Sequence, residues 1–158
     1  MKKTNAIRIL DSAKVKYKLI PYKYEPEKLE VTHLAKANDL EVHLVYKTLI
    51  AKGDKTGIIV AVIAGNSTLD LKRLAKVSGN KKIALLPVKD LLTHTGYIRG
   101  GCSPIGLKKS FPIFIEEKAN IETEIYINAG TRGLLIGLSP SDLQKVVAAQ
   151  YANIGTEK

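Results

Sequence analysis

The run "IIVAVIA" (Ile58 to Ala64) is the longest unbroken apolar stretch in the chain. A membrane-spanning helix needs about 20 such residues, so this run is a strand rather than a span. The segment before it, "LVYKTLIAK" (Leu44 to Lys52), also reads as a strand. "GDKTG" between them is turn chemistry, and the pair is a predicted hairpin. A hairpin here disfavours a doubly wound parallel sheet.

Helix and strand signals interleave around this pair. Thr4 is placed to cap a helix from Asn5 to about Val15. "YKLIPY" (Tyr17–Tyr22) alternates as a strand, and Pro21 marks an edge or an end. Residues 23–31 form a polar loop, and Thr32 opens a short helix to Asn38. "GNST" reads as a loop, and Asp70 starts a helix that ends near Ser78–Gly79. "KKIALLP" is a short strand, followed by a helix from Val88 to His94. "FPIFIEE", "TEIYINA" and "LLIGL" are strands, with "GTRG" as a turn. Ser139-Pro140 opens a helix to about Ala148, and the tail "YANIGTEK" adds a last short strand. The expected fold is mixed α/β, a single domain over residues 1–158. About seven strands form one curved mixed sheet or partial barrel, with about five helices outside.

The chain has 158 residues and a formal charge of +10. Residues 1–110 hold 21 Lys and Arg against 9 Asp and Glu, whereas residues 111–158 hold 4 against 6. Between Lys72 and Lys109 nine basic residues face Asp90 alone. Such a field attracts polyanions. Seven Tyr, two Phe and no Trp make a poor base-stacking platform. One cysteine excludes an internal disulfide, and Arg8 and Asp11 break any leader-like apolar run. A soluble cytoplasmic protein is expected, and no long apolar stripe or heptad argues against a monomer.

Three features are candidates for chemistry. Lys47 interrupts an apolar strand, so it either snorkels at an edge or is held in a pocket for an anion or carbonyl. "RGGCSPIG" is either an ordinary tight loop or a nest of peptide N–H groups. "NAGTRG" is a second glycine turn, with Arg132 suited to an anion. Cys102 is a small apolar filler or, with a distant histidine, a nucleophile. One Cys and the scattered His33, His43 and His94 have no zinc spacing, so no metal or cofactor is expected.

"VYKTLIAK", "LDLKRLAK", "TGYIRGGCSPIGLKK" and "NAGTRGLLIGLSPSDL", in that order and spacing, resemble the YbaK/EbsC family of aminoacyl-tRNA deacylases. The resemblance spans about residues 4 to 155. It implies an editing enzyme related to the insertion domain of prolyl-tRNA synthetase, typically removing cysteine from tRNA(Pro). It assigns Lys47 as the essential lysine, with Thr48 beside it and Tyr22 as the pocket tyrosine. Gly100, Gly101, Ser103, Pro104 and Gly106 match the substrate-cradling loop, and Gly130 a backbone wall. The resemblance implies tRNA as substrate and prolyl-tRNA synthetase as a working partner. Lys72, Arg73, Lys108 and Lys109 are the candidate tRNA contacts on the basic surface. Leu135 stands where some relatives carry an acidic residue, and Cys102 where they usually carry an aliphatic one. Two alternatives remain: the same fold removing Ala, Ser or Thr by attack of water, and a non-catalytic tRNA- or nucleotide-binding module.

Overall fold

A computed structural model describes residues 3–27 and 30–158. The first two residues of the lysine-rich start and two positions of the polar loop 23–31 lie outside the described residues. Helix α1 (Asn5–Ser12) opens as expected: the Thr4 hydroxyl oxygen accepts the Ile7 N–H at 3.2 Å and donates to the Ala129 carbonyl at 2.6 Å. It stops short of Val15, because Lys14 adopts φ +57° and the Val15 N–H turns back to the Leu10 carbonyl. Strand β1 (Tyr17–Pro21) ends at its proline. Helix α2 (Val31–Ala37) corrects the expectation for Thr32, which lies inside the helix. Glu30 holds the cap position without a side-chain bond; Val31, Leu34 and Ala35 join an apolar cluster, and burial sets the start.

Strands β2 (Tyr46–Gly53) and β3 (Gly57–Ala64) are the expected hairpin. Strand β4 (Ser67–Leu69) forms within the stretch read as a loop. Helix α3 (Leu71–Ser78) is capped by the Asp70 carboxylate, which accepts the Arg73 N–H at 3.0 Å, and ends at Gly79 with φ +79°. Strand β5 (Ile83–Leu85) precedes a single 3₁₀ turn and α4 (Leu91–Thr95). Strands β6 (Ile113–Glu116), β7 (Ile125–Asn128) and β8 (Leu134–Leu138) follow. Helix α5 (Pro140–Val146) has its proline in the first turn, and the Ser139 side chain makes no capping bond. The tail carries β9 (Gln150–Ala152) and β10 (Gly155–Glu157).

The strands form three sheets rather than the single curved sheet of about seven strands expected from the sequence, and no closed barrel forms among the described residues. The largest runs β5-β2-β3-β6-β9, the second β1-β8-β7, and the third pairs β10 with β4. The extra strands β4, β9 and β10 are three residues each, too short for a period-2 pattern to register. In the largest sheet β2 pairs antiparallel with β3, while β6 pairs parallel with β3 and with β9. A single parallel bridge, Val45 to Tyr126, links the start of β2 to the second sheet.

Strand β3 is buried on both faces. Val60, Val62 and Ala64 enter the main core with Ile7, Leu10, Ile115, Ile127 and Ile136. Ile59, Ala61 and Ile63 face a second cluster with Leu74 of α3 and Ile154. The buried Glu116 ties this centre to the tail. Its carboxylate accepts the Ala64 N–H at 3.0 Å and the Ser67 hydroxyl at 2.9 Å, with Lys118 Nζ at 3.8 Å. Glu116→Ala leaves a buried N–H and hydroxyl unpaired, a loss of about 2 kcal/mol by typical penalties. Urea unfolding should show a lower midpoint; an unchanged midpoint would show that this carboxylate holds nothing.

Candidate functional site

A cleft of ≈ 650 Å³ opens beside the first half of β2. Its walls come from five places: the loop after β1 (Tyr22 to Glu27), helix α2, the start of β2 (Val45 to Leu49), the segment Arg99–Gly100–Cys102, and Lys158 in the tail. Asn128 and Leu135 complete it. The size suits a small ligand or a nucleotide end.

Lys47 lies on β2 opposite Ile63, and its half-buried side chain lines the cleft. Burial chiefly, and then the positive charge of Lys158, push its pKa down to about 8. Glu116 and Glu30 pull weakly the other way. At neutral pH Lys47 is therefore still mostly an ammonium, poorly solvated and close to releasing its proton. The snorkelling alternative is set aside, because the head group sits in a cleft beside a second cation.

Thr48 adds hydrogen-bonding capacity. Ile50 accepts the Leu86 N–H through its carbonyl, while Val45 accepts the Gly65 N–H on the β3 side. Peptide groups alternate along an antiparallel strand. Those of Thr48 thus point away from β3, along the edge that β5 leaves bare because it pairs only with Ala51 to Gly53. The buried Thr48 hydroxyl has no hydrogen-bond partner among the described residues. The uncovered edge offers peptide groups to a polar ligand, whereas the Thr48 hydroxyl is buried on the face opposite Lys47.

The glycine loop turns only part of itself to the cleft. Gly100 and Cys102 line it; Gly101, Ser103, Pro104, Gly106 and Gly130 do not. Ser103 is fully buried, and its hydroxyl oxygen accepts the Ile105 N–H at 3.2 Å. Gly106 and Gly130, at φ +76° and +95°, press on Tyr97 from two sides, at 3.0 Å from its hydroxyl and its ring respectively if a Cβ stood there. These two glycines make room for Tyr97, whose hydroxyl donates to the Ile105 carbonyl. The N–H groups of Gly101 and Gly130 are already given to the Ile98 carbonyl and to Asn128 Oδ1. Burial pushes the Cys102 thiol up to about 12, which leaves essentially no thiolate at neutral pH.

Several contacts were not legible in the sequence. Asn128 clamps the two glycine turns, donating to the Gly100 carbonyl at 2.8 Å. Arg132, the expected anion contact, lies 4.7 Å over the Tyr24 ring and donates to the Arg99 carbonyl. His33 Nε2 sits 2.9 Å from Glu25 Oε2 at the cleft wall. The Asn-x-Gly turn was the one available signal for Asn128; none announced Lys158. Among the candidate tRNA contacts, Lys72 and Arg73 lie on α3, Arg73 held by Asp70 at 3.4 Å. Lys108 reaches the Thr93 carbonyl, Lys109 is exposed, and none of the four lines the cleft. No group of three His, Cys, Asp or Glu among the described residues is placed to hold a metal ion.

Residues 25–146 match the aminoacyl-tRNA editing domain family. The chain is 46% identical over 99% of its length, and 95% of the relative's, to EbsC of Enterococcus faecalis, named as a proposed Cys-tRNA(Pro)/Cys-tRNA(Cys) deacylase. Two solved structures share the fold. The hypothetical protein APE2540 superposes with a TM-score of 0.87 at 19% identity, covering 97% of this chain and 100% of that one. A proposed trans-editing enzyme for prolyl-tRNA synthetase superposes with a TM-score of 0.82 at 21% identity, covering 99% of each. With the family matched across most of its length and a close relative along nearly all of it, this chain belongs to the aminoacyl-tRNA editing domain family, an enzyme family that deacylates tRNA.

Proposed function

We propose that this chain removes mis-attached cysteine from the 3′ end of tRNA(Pro). The observation that carries the reading is Lys47: a half-buried ammonium in the wall of a nucleotide-sized cleft, beside the bare edge of β2 at Thr48. A pure tRNA binder needs no cation desolvated inside an apolar strand. The name of the 46% identical relative supports cysteine and tRNA(Pro) as the substrate.

The scissile bond is the ester between the amino acid and the terminal ribose. In the proposed route the substrate's own thiol attacks the ester carbonyl. A carbon–sulfur bond forms, the carbon–ribose oxygen bond breaks, and the thiol proton passes to the departing ribose oxygen. The protein then supplies orientation and charge instead of a nucleophile. Lys47 holds the adjacent phosphate or stabilises the negative oxygen of the carbonyl, with the Thr48 N–H as a neutral donor along the edge. Tyr22 and Gly100 border the space left for the aminoacyl group. Gly106 and Gly130 support the cradle from behind through Tyr97 and Asn128, and Gly101, Ser103 and Pro104 lie behind the cleft wall rather than in it. Lys72, Arg73, Lys108 and Lys109 receive the tRNA backbone on the outer surface. Prolyl-tRNA synthetase is the proposed partner that supplies the mischarged tRNA, in the cytoplasm.

Incubation with Cys-, Ala- and Ser-charged tRNA(Pro) tests the reading directly. Cys-tRNA(Pro) should lose its amino acid fastest, and Lys47→Ala should slow that by about 100-fold or more, the scale for removing a transition-state contact, while the thermal melt stays unchanged. No turnover of any substrate sinks the enzyme reading, and faster loss of Ala or Ser replaces thiol attack by water. Cys102→Val should keep most of the wild-type rate, since the thiol is locked in its neutral form; complete loss with an intact fold would restore Cys102 as nucleophile. Affinity for tRNA should fall steeply as salt rises, because bound cations are released from its phosphates. A salt-independent affinity would remove the basic surface from the reading.

A further inference from the structure

Lys158 lies far from Lys47 in sequence, yet both line one cleft. The placement is built by the fold. Strand β10 pairs with β4 from Gly155↔Leu69 to Glu157↔Ser67, and the Lys158 N–H donates to the Asn66 carbonyl at 3.0 Å. Ser67 is in turn anchored by the buried Glu116. The backbone that carries Lys158 is therefore tied to the same carboxylate that ties β6 to β3.

Two ammonium groups brought together on one wall repel each other, and more strongly where water is partly excluded. The nearby carboxylates are Glu30 at the start of α2 and Glu116 on β6, and they do not offset burial and the Lys158 charge at Lys47. An anion between the two lysines turns that repulsion into attraction. The N–H of Thr48 lies on the strand edge next to Lys47, while its side chain projects to the opposite face of β2 and its hydroxyl is buried. Two cations with a peptide N–H beside them on the strand edge form a receptor for a tetrahedral oxyanion with several oxygens to satisfy.

We propose that Lys158 and Lys47 form a two-cation cradle for a phosphate ester, the one that joins the terminal nucleoside of the tRNA to the rest of the strand. Lys158 is a substrate-positioning residue, and Lys47 serves both this phosphate and the reacting ester beside it. That the phosphate belongs to tRNA rests on the deacylase reading above; that the cradle takes a nucleotide phosphate does not.

Calorimetry with adenosine 5′-monophosphate, adenosine and inorganic phosphate tests the cradle without any turnover. The wild-type protein should bind the monophosphate more tightly than either adenosine or phosphate alone. Lys158→Ala should weaken the monophosphate about tenfold, the scale of one charge-assisted contact, and leave adenosine unchanged. Lys158→Arg should retain the affinity, and Lys145→Ala, an equal loss of charge on α5, should have no effect. Unchanged monophosphate affinity in Lys158→Ala, or equal loss of adenosine, overturns the proposal. Inorganic phosphate bound as tightly as the monophosphate overturns its assignment to a nucleotide. In deacylation assays Lys158→Ala should raise KM more than it lowers kcat. The fall of activity as Lys47 loses its proton above about pH 8 should also move to higher pH, since a repelling charge is gone. A limb that stays in place rules out the electrostatic coupling. Phosphate binding that depends on Lys158 in a protein without turnover would keep the cradle and reject the deacylase.

Discussion

The burial of β3 on both faces is the constraint that the rest of the molecule answers to. A strand whose residues from Ile58 to Ala64 are all apolar needs a layer on each side and a partner along each edge. The partners are β2 and β6. One layer comes from the second sheet with α1, the other from α3 and the tail residue Ile154. Once β3 is central, β2 is paired along its whole length on one edge, and its other edge is met, among the described residues, only by the Val45–Tyr126 bridge at its start and by β5 near its end. Its other edge is covered by β5 from Ala51 onward, and the uncovered portion is where the cleft opens.

That arrangement explains how a lysine comes to stand in an apolar strand. Lys47 sits on the part of β2 that is rigidly paired to β3 yet borders the cleft, so its position is fixed without its head group being sealed in the core. Rigid placement and partial desolvation together make a charge effective: the ammonium meets a ligand in a medium that screens it less than water does. The two glycine turns act at one remove. Asn128 bonds both of them, Tyr97 wedges between Gly106 and Gly130, and Arg132 stacks on Tyr24. The loop is a braced wall, and much of its hydrogen bonding is spent on the brace.

Much of this was readable in advance where the signal was local. The Thr4 and Asp70 caps, the "GDKTG" hairpin and the stop at Gly79 each depend on residues within one turn of each other. Thr32 failed as a cap because burial of Val31 and Ala35 outweighed a hydroxyl in choosing where α2 begins. The short strands β4, β9 and β10 left no pattern, since three residues hold barely one period of alternation. In the site, Lys47, Tyr22, Thr48 and Gly100 were chosen from the sequence and do share the cleft. The same loop supplied Ser103 and Pro104, which are buried, and Gly106, which abuts Tyr97; a motif names residues but not which way each one points.

The sequence alone determined that a hairpin with an apolar second strand organises a mixed α/β chain, that the surface is basic, and that a lysine stands where an apolar residue belongs. These follow from local propensity and from counts, which need no knowledge of what touches what. Only the tertiary structure decided that Lys158 meets Lys47 and that Cys102 is a neutral thiol. It also decided that the N–H groups of Gly101 and Gly130 are already in use. Each of those depends on burial or on contacts between distant segments. Charge and hydrogen bonding take their strength from that surrounding medium, and the medium exists only once the chain has folded.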